Sequence, residues 1–236
     1  QCLVGSEMCI RDSCTTMRQE ITGMSGRDSM ESFRQWICEV HIMRLEAKNL
    51  SFSYDVKGRQ ILRQFSLSAD SSERVGIIAP SGFGKTTLCK ILSGYEAPQS
   101  GEVLLDGKPL SEYGAYCPIQ MIWQHPEQAV NPRLRMKNVI EEGDRTAPEL
   151  IEKLGIEPDW MNRFPTELSG GELQRFCIAR ALGQRTRFLL ADEITTMLDL
   201  ITQSQIWHFL IEETERRNIG MLVVSHSPEL ILSLIH

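Results

Sequence analysis

The segment VGIIAPSGFGKTTLCKIL, residues 75–92, decides the expected fold. Its first four residues, 75–78, have the length and apolar content of a buried parallel strand. From Thr87 onward the apolar side chains recur at helical spacing, and a turn that contains glycine joins the two elements. A strand that leads through such a turn into a helix directs several backbone N–H groups at one point, which favours anion binding.

The turn carries the residue types that phosphate binding requires. Lys85 supplies a positive charge for the β- and γ-phosphates of a nucleotide, and the hydroxyl of Thr86 is placed to ligate Mg²⁺. Gly82 and Gly84 let the backbone approach phosphate oxygens because they have no Cβ. The predicted phosphate loop comprises Ala79, Pro80, Ser81, Gly82, Phe83, Gly84, Lys85, Thr86 and Thr87.

Ala79 departs from the phosphate-loop pattern G-x-x-x-x-G-K-[ST], which begins with glycine. Alanine costs little there if the φ angle is negative, and it strains the turn if φ is positive. The alternative is an ordinary strand, turn and helix with glycines by chance. The order of strand, GKTT and helix favours phosphate binding.

Two carboxylates end a second apolar strand, in FLLADE at residues 188–193. Ligands bind at the carboxyl ends of the strands in an open parallel sheet, so Asp192 and Glu193 are expected beside the phosphate loop. Mg²⁺ takes one or two carboxylates together with phosphate oxygens, which suits Asp192. Glu193 is then placed to polarise an attacking water as a general base. The alternative is a solvated acidic pair at a strand end.

The composition is that of an ordinary folded chain. Its 236 residues are 42% apolar and 24% charged, and the formal net charge is −6. This charge argues against a protein that covers nucleic acid phosphates, although it leaves room for a local basic patch. The sequence has no run of about 18 apolar residues, the length that a membrane-spanning helix needs.

The cysteines indicate a reducing compartment. The chain has 7 cysteines, an odd number, and no two are spaced as a C-x-x-C pair. Several lie in apolar periodic segments, where a free cysteine behaves as a small hydrophobic residue. We therefore expect the cytosol, and neither a disulfide scaffold nor a zinc site.

The domain is expected to begin near Met43 and to cover residues 43–236. Residues 1–42 lack helical and strand periodicity, and VGSEMCIRDS at 4–13 resembles translated adapter sequence. This extension is predicted to be non-domain or artefactual. The final LSLIH, residues 232–236, raises the same expectation, and the domain is predicted to be truncated at its C-terminus.

Further strands and helices extend the pattern on both sides of these motifs. Strands are predicted within 43–54, 61–69 and 221–224, and apolar residues at helical spacing predict a helix across 206–214. Strand, helix and strand joined by tight connections are typical of the α/β class.

The segment PTELSGGELQRFCIARAL, residues 165–182, resembles the signature segment of the ATP-binding cassette (ABC) family. Ser169 followed by Glu172 also predicts a capping box that begins a helix, with a buried stripe on Leu173, Phe176, Cys177 and Ala181. The resemblance implies in addition that Ser169, Gly170 and Gly171 contact the γ-phosphate of an ATP molecule held by a second subunit.

Other positions match the family in its order along the chain. By this resemblance Tyr54 stacks on adenine, and Gln124 touches Mg²⁺ and couples the site to a membrane partner. Asp199 lies in the D-loop MLD, residues 197–199, at the dimer interface, and His226 is the switch histidine beside the γ-phosphate. The alternatives are an ordinary strand tyrosine at position 54 and a structural histidine at position 226.

The resemblance implies a P-loop ABC nucleotide-binding domain. Its core sheet would be parallel or mixed and flanked by helices, with an antiparallel β subdomain before it and a helical signature subdomain at about 125–182. The implied function is ATP hydrolysis that drives import through separate membrane permeases, and the subgroup most resembled imports dipeptides, oligopeptides or nickel. ATP and Mg²⁺ are the implied cofactors.

The implied partners are integral-membrane permeases and a second, identical or homologous ATPase subunit, with no nucleic acid. The implied location is peripheral, on the cytoplasmic face of the cell membrane. Two alternatives are a non-transport cassette ATPase and a nucleotide-binding scaffold with little turnover, the second suggested by Ala79.

Overall fold

The computed structural model describes residues 9–11, 42–55, 60–196 and 198–235. Most of the predicted N-terminal extension 1–42, and Met197 of the MLD segment, lie outside the described residues. The strands of the described part are β1 (Cys9–Arg11), β2 (Arg44–Phe52), β3 (Leu62–Asp70), β4 (Arg74–Ile78), β5 (Ser100–Leu105), β6 (Lys108–Pro109), β7 (Ile119–Ile122), β8 (Phe188–Asp192) and β9 (Gly220–Ser225).

Within the same described residues the helices are α1 (Lys85–Leu92), α2 (Met136–Glu141), α3 (Pro148–Lys153), α4 (Gly170–Ala181), α5 (Leu200–Arg217) and α6 (Pro228–Ile235). Short 3₁₀ turns lie at Leu110–Tyr113, Pro126–Gln128, Pro158–Asn162 and Pro165–Glu167. The predicted strands and the helix across 206–214 all form, and their ends differ from the prediction by a few residues.

The larger sheet has the strand order β1-β4-β9-β8-β7. Its last four strands run parallel, and β1 adds an antiparallel edge beside β4. In this way residues 9–11 of the predicted extension pair with the sheet, while the domain boundary stays a prediction. The parallel core joined by helices confirms the α/β class that the pattern predicts.

The register of the parallel strands aligns their carboxyl ends along one edge of the sheet. Ile78 at the end of β4 pairs with Ser225 at the end of β9, and Asp192 at the end of β8 pairs with Val224. The segments that follow these strands therefore leave the sheet side by side. This edge is where ligands bind in open parallel sheets.

Apolar residues cover both faces of this sheet. Phe188 and Leu190 of β8 lie in a core cluster with α1 and the smaller sheet, and the alternate residues Leu189 and Ala191 lie in a second cluster with α4 and α5. Successive side chains of a strand point to opposite faces, so the continuous apolar run suits a strand that is buried on both sides. Each large side chain buried in this way contributes about 1.5–3 kcal/mol.

The smaller sheet is antiparallel, with the strand order β3-β2-β5-β6. Its apolar face, which includes Leu45 and Leu105, shares one core cluster with α1 and the parallel sheet. This sheet is the predicted antiparallel β subdomain.

The capping box predicted before α4 is present. The hydroxyl of Ser169 accepts a hydrogen bond from the Glu172 N–H at 3.3 Å, and the Glu172 carboxylate accepts one from the Ser169 N–H at 2.8 Å. Such a cap stabilises a helix by about 1 kcal/mol. The predicted stripe of α4 is buried in a core cluster that also contains residues of α2, α3 and α5.

Candidate nucleotide-binding site

The phosphate loop leaves β4 and enters α1 through two glycines in the left-handed region. Gly82 has φ +78° and Gly84 has φ +87°, and Gly84 is the residue that precedes α1. Ala79 lies outside the left-handed region, and its N–H donates to the Ser225 carbonyl at 3.4 Å. Alanine at this position is therefore free of the backbone strain that a positive φ would bring.

Gly82→Ala and Gly84→Ala form a matched pair that tests the loop geometry. A left-handed conformation costs a residue with a Cβ about 1–2 kcal/mol, so both variants lose stability. Only at Gly84 would the new Cβ also collide with the Ile61 side chain. We expect Gly84→Ala to lose more free energy of unfolding in urea, and more ATP affinity, than Gly82→Ala.

A double-mutant cycle with Ile61 checks the cause. The Ile61 Cγ2 methyl is the atom that the new Cβ meets, so Ile61→Ala should relieve part of the Gly84→Ala loss. Ile61→Val keeps a methyl in that place and serves as the control. Equal losses for the two glycine variants would contradict the collision.

Lys85 begins α1 and is almost buried, with 6% of its side chain exposed. Its ammonium donates to the carbonyl oxygens of Ala79 at 2.8 Å and Pro80 at 3.1 Å, and it lies 3.1 Å from the Glu193 carboxylate. A buried charge is costly unless it is paired and hydrogen-bonded, and these three acceptors satisfy the ammonium.

Glu193 is the point at which the predicted catalytic residues meet. The amide of Gln124 donates to its carboxylate at 3.2 Å, and Nδ1 of His226 lies 3.3 Å from the same oxygen. The other oxygen pairs with Lys85. Each partner follows a different strand of the parallel sheet, which is why the strand register brings these residues together. The backbone of Glu193 is left-handed, with φ +49°.

Asp192 is buried, with 1% exposure, and neither carboxylate oxygen has a hydrogen-bond partner. Burial is the main cause that raises the pKa of this carboxyl, and the neighbouring Glu193 carboxylate raises it further. The Thr86 hydroxyl and the Lys85 ammonium act in the opposite direction and lower it. A buried carboxylate with free oxygens next to a threonine hydroxyl has the donor set that Mg²⁺ prefers, so these residues fit the metal.

Tyr54 lies at the side of the loop. Its hydroxyl is 3.2 Å from the hydroxyl of Thr87, and its ring meets the ring of Phe52 edge to face. The tyrosine is 58% exposed, which leaves much of the ring open to solvent. An exposed aromatic face close to the loop suits stacking on a base, as the resemblance implies.

The signature and D-loop residues form a separate group. A Cβ added at Gly171 would lie 3.5 Å from the Leu198 side chain and 3.7 Å from the Thr202 side chain, so Gly171 faces the start of α5, while Ser169 and Gly170 are exposed. The Asp199 carboxylate accepts hydrogen bonds from the N–H groups of Ile201 and Thr202 and caps α5. The structure thus brings the loop, Gln124, Asp192, Glu193 and His226 together, and it places Gly171 near the start of α5, the helix that Asp199 caps.

One contact near the site has no counterpart in the sequence pattern. The buried hydroxyl of Thr195 accepts hydrogen bonds from Gln203 at 2.7 Å and from the indole of Trp207 at 3.1 Å. The helix predicted across 206–214 includes Trp207, but a periodic pattern carries no signal that its N–H donates to Thr195, two residues after Glu193.

A lysine at the start of a helix, opposite two strand-end carboxylates, is how P-loop proteins hold nucleotide phosphates and magnesium. The fold and this geometry define the chain as a P-loop nucleotide-binding protein.

The family follows from comparison with known proteins. Residues 62–196 match the sequence model of the ABC transporter family. Nickel import ATP-binding protein NikE of Rhodospirillum rubrum is 32% identical over 191 residues, which cover 73% of this chain and 69% of that protein. Dipeptide transport ATP-binding protein DppF of Lactococcus lactis is 32% identical, over 79% of this chain and 68% of that protein. The chain belongs to the ABC transporter family.

A further relative is named "Probable peptide ABC transporter ATP-binding protein y4tS", from Sinorhizobium fredii, and is 30% identical over 78% of this chain. The chain spans 58% of the length of that protein. Among solved structures, the post-hydrolysis dimer of the ATP-binding cassette MJ0796 bound to ADP and Pi superposes with a TM-score of 0.68 at 26% identity. That match covers 79% of this chain and 90% of the cassette. The expected ABC fold is confirmed.

Proposed function

We propose that this chain binds and hydrolyses ATP as the ATPase subunit of an ABC importer for peptides or nickel, acting with separate membrane permeases. The observation that carries the proposal is the convergence of Lys85, Gln124 and His226 on the Glu193 carboxylate. The names of the relatives, which are nickel, dipeptide and peptide transport proteins, support the importer class.

The phosphate loop and the strand ends supply the groups that would hold nucleotide and metal. The backbone N–H groups at the start of α1 would bind phosphate oxygens, together with Lys85. Asp192, Thr86 and Gln124 would hold Mg²⁺, and the free oxygens of Asp192 support this assignment. When bound, Mg²⁺ supplies positive charge against the phosphate oxygens. The ring of Tyr54 would stack on adenine.

Glu193 would act as the general base and His226 would assist it. The glutamate accepts the proton of the attacking water, while the Gln124 amide and the His226 ring orient its carboxylate. For this to happen the ion pair between Lys85 and Glu193 must open, because a carboxylate that is shared with an ammonium is a weaker base. Phosphate oxygens can take over the ammonium, so substrate binding would free the base.

A second subunit would complete the site. Ser169 and Gly170 are exposed at the start of α4, where backbone N–H groups can bind an anion, and the next residue, Gly171, faces Leu198 of the D-loop. Leu200 and Ile201, which follow Asp199, are 81% and 73% exposed and would be covered in such a dimer. One solved relative, MJ0796, is a dimer.

The permeases would supply the membrane pore. Within the residues that the structure describes, every helix is too short or too polar to span a bilayer. We place the chain on the cytoplasmic face of the membrane, where Gln124 would couple the nucleotide site to the permease. The domain boundaries predicted from the sequence, with a domain across 43–236, belong to the same proposal.

A phosphate-release assay at saturating Mg-ATP tests the proposal. The full chain should release phosphate steadily, and Lys85→Ala, purified in parallel, should show only the background of contaminating ATPases. A wild-type rate equal to that of Lys85→Ala contradicts hydrolysis. ATP binding without release would favour the scaffold alternative, although the unstrained backbone of Ala79 removes the observation that suggested it.

A further inference from the structure

The general base proposed above has a backbone conformation that needs support. Glu193 has φ +49°, a region that residues with a Cβ rarely adopt. Strained residues of this kind persist only when their surroundings hold them. The groups that hold the Glu193 turn therefore help to decide where its carboxylate lies.

Two kinds of contact hold the turn near Glu193 itself. The Glu193 N–H donates to the Val224 carbonyl of β9 at 3.0 Å, which ties the first residue of the turn to the sheet. The Glu193 carbonyl accepts from the Thr196 N–H at 3.3 Å and from the Thr196 hydroxyl at 3.1 Å. These bonds close the turn but provide no link between it and α5.

Thr195 supplies that link. Its side chain is 2% exposed, and its hydroxyl accepts from Gln203 Nε2 at 2.7 Å and from Trp207 Nε1 at 3.1 Å. Both donors lie on one face of α5, one turn apart, so two side chains of a single helix bind the same hydroxyl oxygen.

The helix that carries the two donors is itself fixed. Asp199 caps its first turn, and Ile206 and Leu210 are buried in the core cluster with α4. Trp207 is 5% exposed in the same cluster. A side chain whose surroundings are this closely packed holds its N–H in one direction.

We propose that Thr195, Gln203 and Trp207 form an anchor that positions Glu193 for proton transfer. Trp207 and Gln203 are positioning residues, because they act on the base through Thr195 and touch no reacting atom. The competing interpretation is that Trp207 only fills the core. The two interpretations differ in what the indole N–H does, since phenylalanine fills most of the same space without donating.

The inference rests on the proposed ATPase function, and steady-state kinetics of the full chain test it. Thr195→Val, which keeps the shape and removes the acceptor, should lower kcat by about tenfold, the factor to which 1.4 kcal/mol of barrier corresponds. Its KM for ATP should change by less than about twofold, because the phosphate loop is untouched. Trp207→Phe and Gln203→Met should each lower kcat by about threefold.

Two comparisons separate positioning from stability. Thr195→Ser keeps the hydroxyl and should restore kcat to within about twofold of wild type. Adding Trp207→Phe to Thr195→Val should lower kcat no further, because the acceptor is already gone. Thr214→Val is the matched control, since its buried hydroxyl donates to the Leu210 carbonyl on the same helix, away from the site. It should lower the melting temperature and leave kcat unchanged.

Hydrogen exchange gives a readout that needs no turnover. Thr195→Val and Trp207→Phe should speed amide exchange at Glu193 and Thr196, whereas Thr214→Val should not. Wild-type kcat and wild-type exchange in Thr195→Val would overturn the anchor. A wild-type chain that binds ATP and releases no phosphate would instead overturn the proposed function and the catalytic part of this inference. The rates of amide hydrogen exchange at Glu193 and Thr196 would then decide whether the anchor holds the turn.

Discussion

Glu193→Gln should bind ATP at least as tightly as the wild type and should lower the rate of phosphate release by about 100-fold or more, the range expected when a general base is lost. Glutamine has the same shape, but its amide cannot accept the proton of the attacking water. The change also removes the counter-charge that lies 3.1 Å from the Lys85 ammonium, which leaves the ammonium free for phosphate oxygens. Binding and hydrolysis should therefore separate in this variant.

The same variant should accumulate as an ATP-bound dimer, because the nucleotide that would join two subunits is no longer consumed. Size-exclusion chromatography with Mg-ATP measures this state, and single-turnover phosphate release measures the chemistry. Glu212→Gln makes the same chemical change on α5, where the carboxylate is 65% exposed and 3.9 Å from Lys153. It should behave as wild type, and unchanged turnover in Glu193→Gln would show that another group is the base.

The phosphate loop could be predicted from the sequence because its signal is local. Strand, glycine turn and helix follow one another within 75–92, and the elements form there. The capping box of Ser169 and Glu172 is equally local, with both partners a single turn apart. Interactions between residues that are close in the chain produce a pattern that is recognisable in a single sequence.

The conformation at Ala79 could not be predicted, because it depends on a distant strand. Its N–H donates to Ser225, and only the pairing of β4 with β9 brings that carbonyl near. The same holds for the carboxylate of Glu193, whose partners come from separate parts of the chain. The roles of Gln124 and His226 could be stated only from the resemblance, which supplies the order of the motifs but not the contacts.

The ion pair of Lys85 is a second feature that could not be predicted from the sequence. The sequence predicts a lysine for phosphates, whereas the structure pairs its ammonium with Glu193 and with two loop carbonyl oxygens. A buried ammonium needs acceptors, and the nearest ones in three dimensions provide them. Thr195 and Trp207 are likewise apart in sequence, and they meet because α5 packs back on the sheet.

Asp192→Asn should make the chain more stable without nucleotide and unable to bind Mg-ATP tightly. Both oxygens of Asp192 are buried without a partner, and burial raises the pKa of its carboxyl. Replacing a buried charge whose oxygens lack hydrogen-bond partners by a neutral group should gain about 1 kcal/mol, which corresponds to about 2–4 °C in melting temperature for a domain of this size. Asp159→Asn, at an exposed position, should leave the melting temperature unchanged.

The pH dependence of this gain has a definite sign. The carboxyl has a higher pKa in the folded chain than its ordinary value near 3.8, so its favourable contribution is complete below that value and is lost as pH rises through the raised folded pKa. The asparagine variant does not titrate there. The difference in melting temperature between variant and wild type should therefore be small in acid and grow as pH rises.

Mg-ATP should reverse the order of the melting temperatures of Asp192→Asn and the wild type. A ligand at 100 times its dissociation constant stabilises the protein that binds it by about 2.7 kcal/mol, and only the wild type keeps the carboxylate for the metal. In thermal unfolding, the melting temperature of Asp192→Asn should thus lie above that of the wild type without Mg-ATP and below it with Mg-ATP. A nucleotide-free variant that melts below the wild type would mean that the Asp192 oxygens are satisfied, and the case for a metal site there would fail.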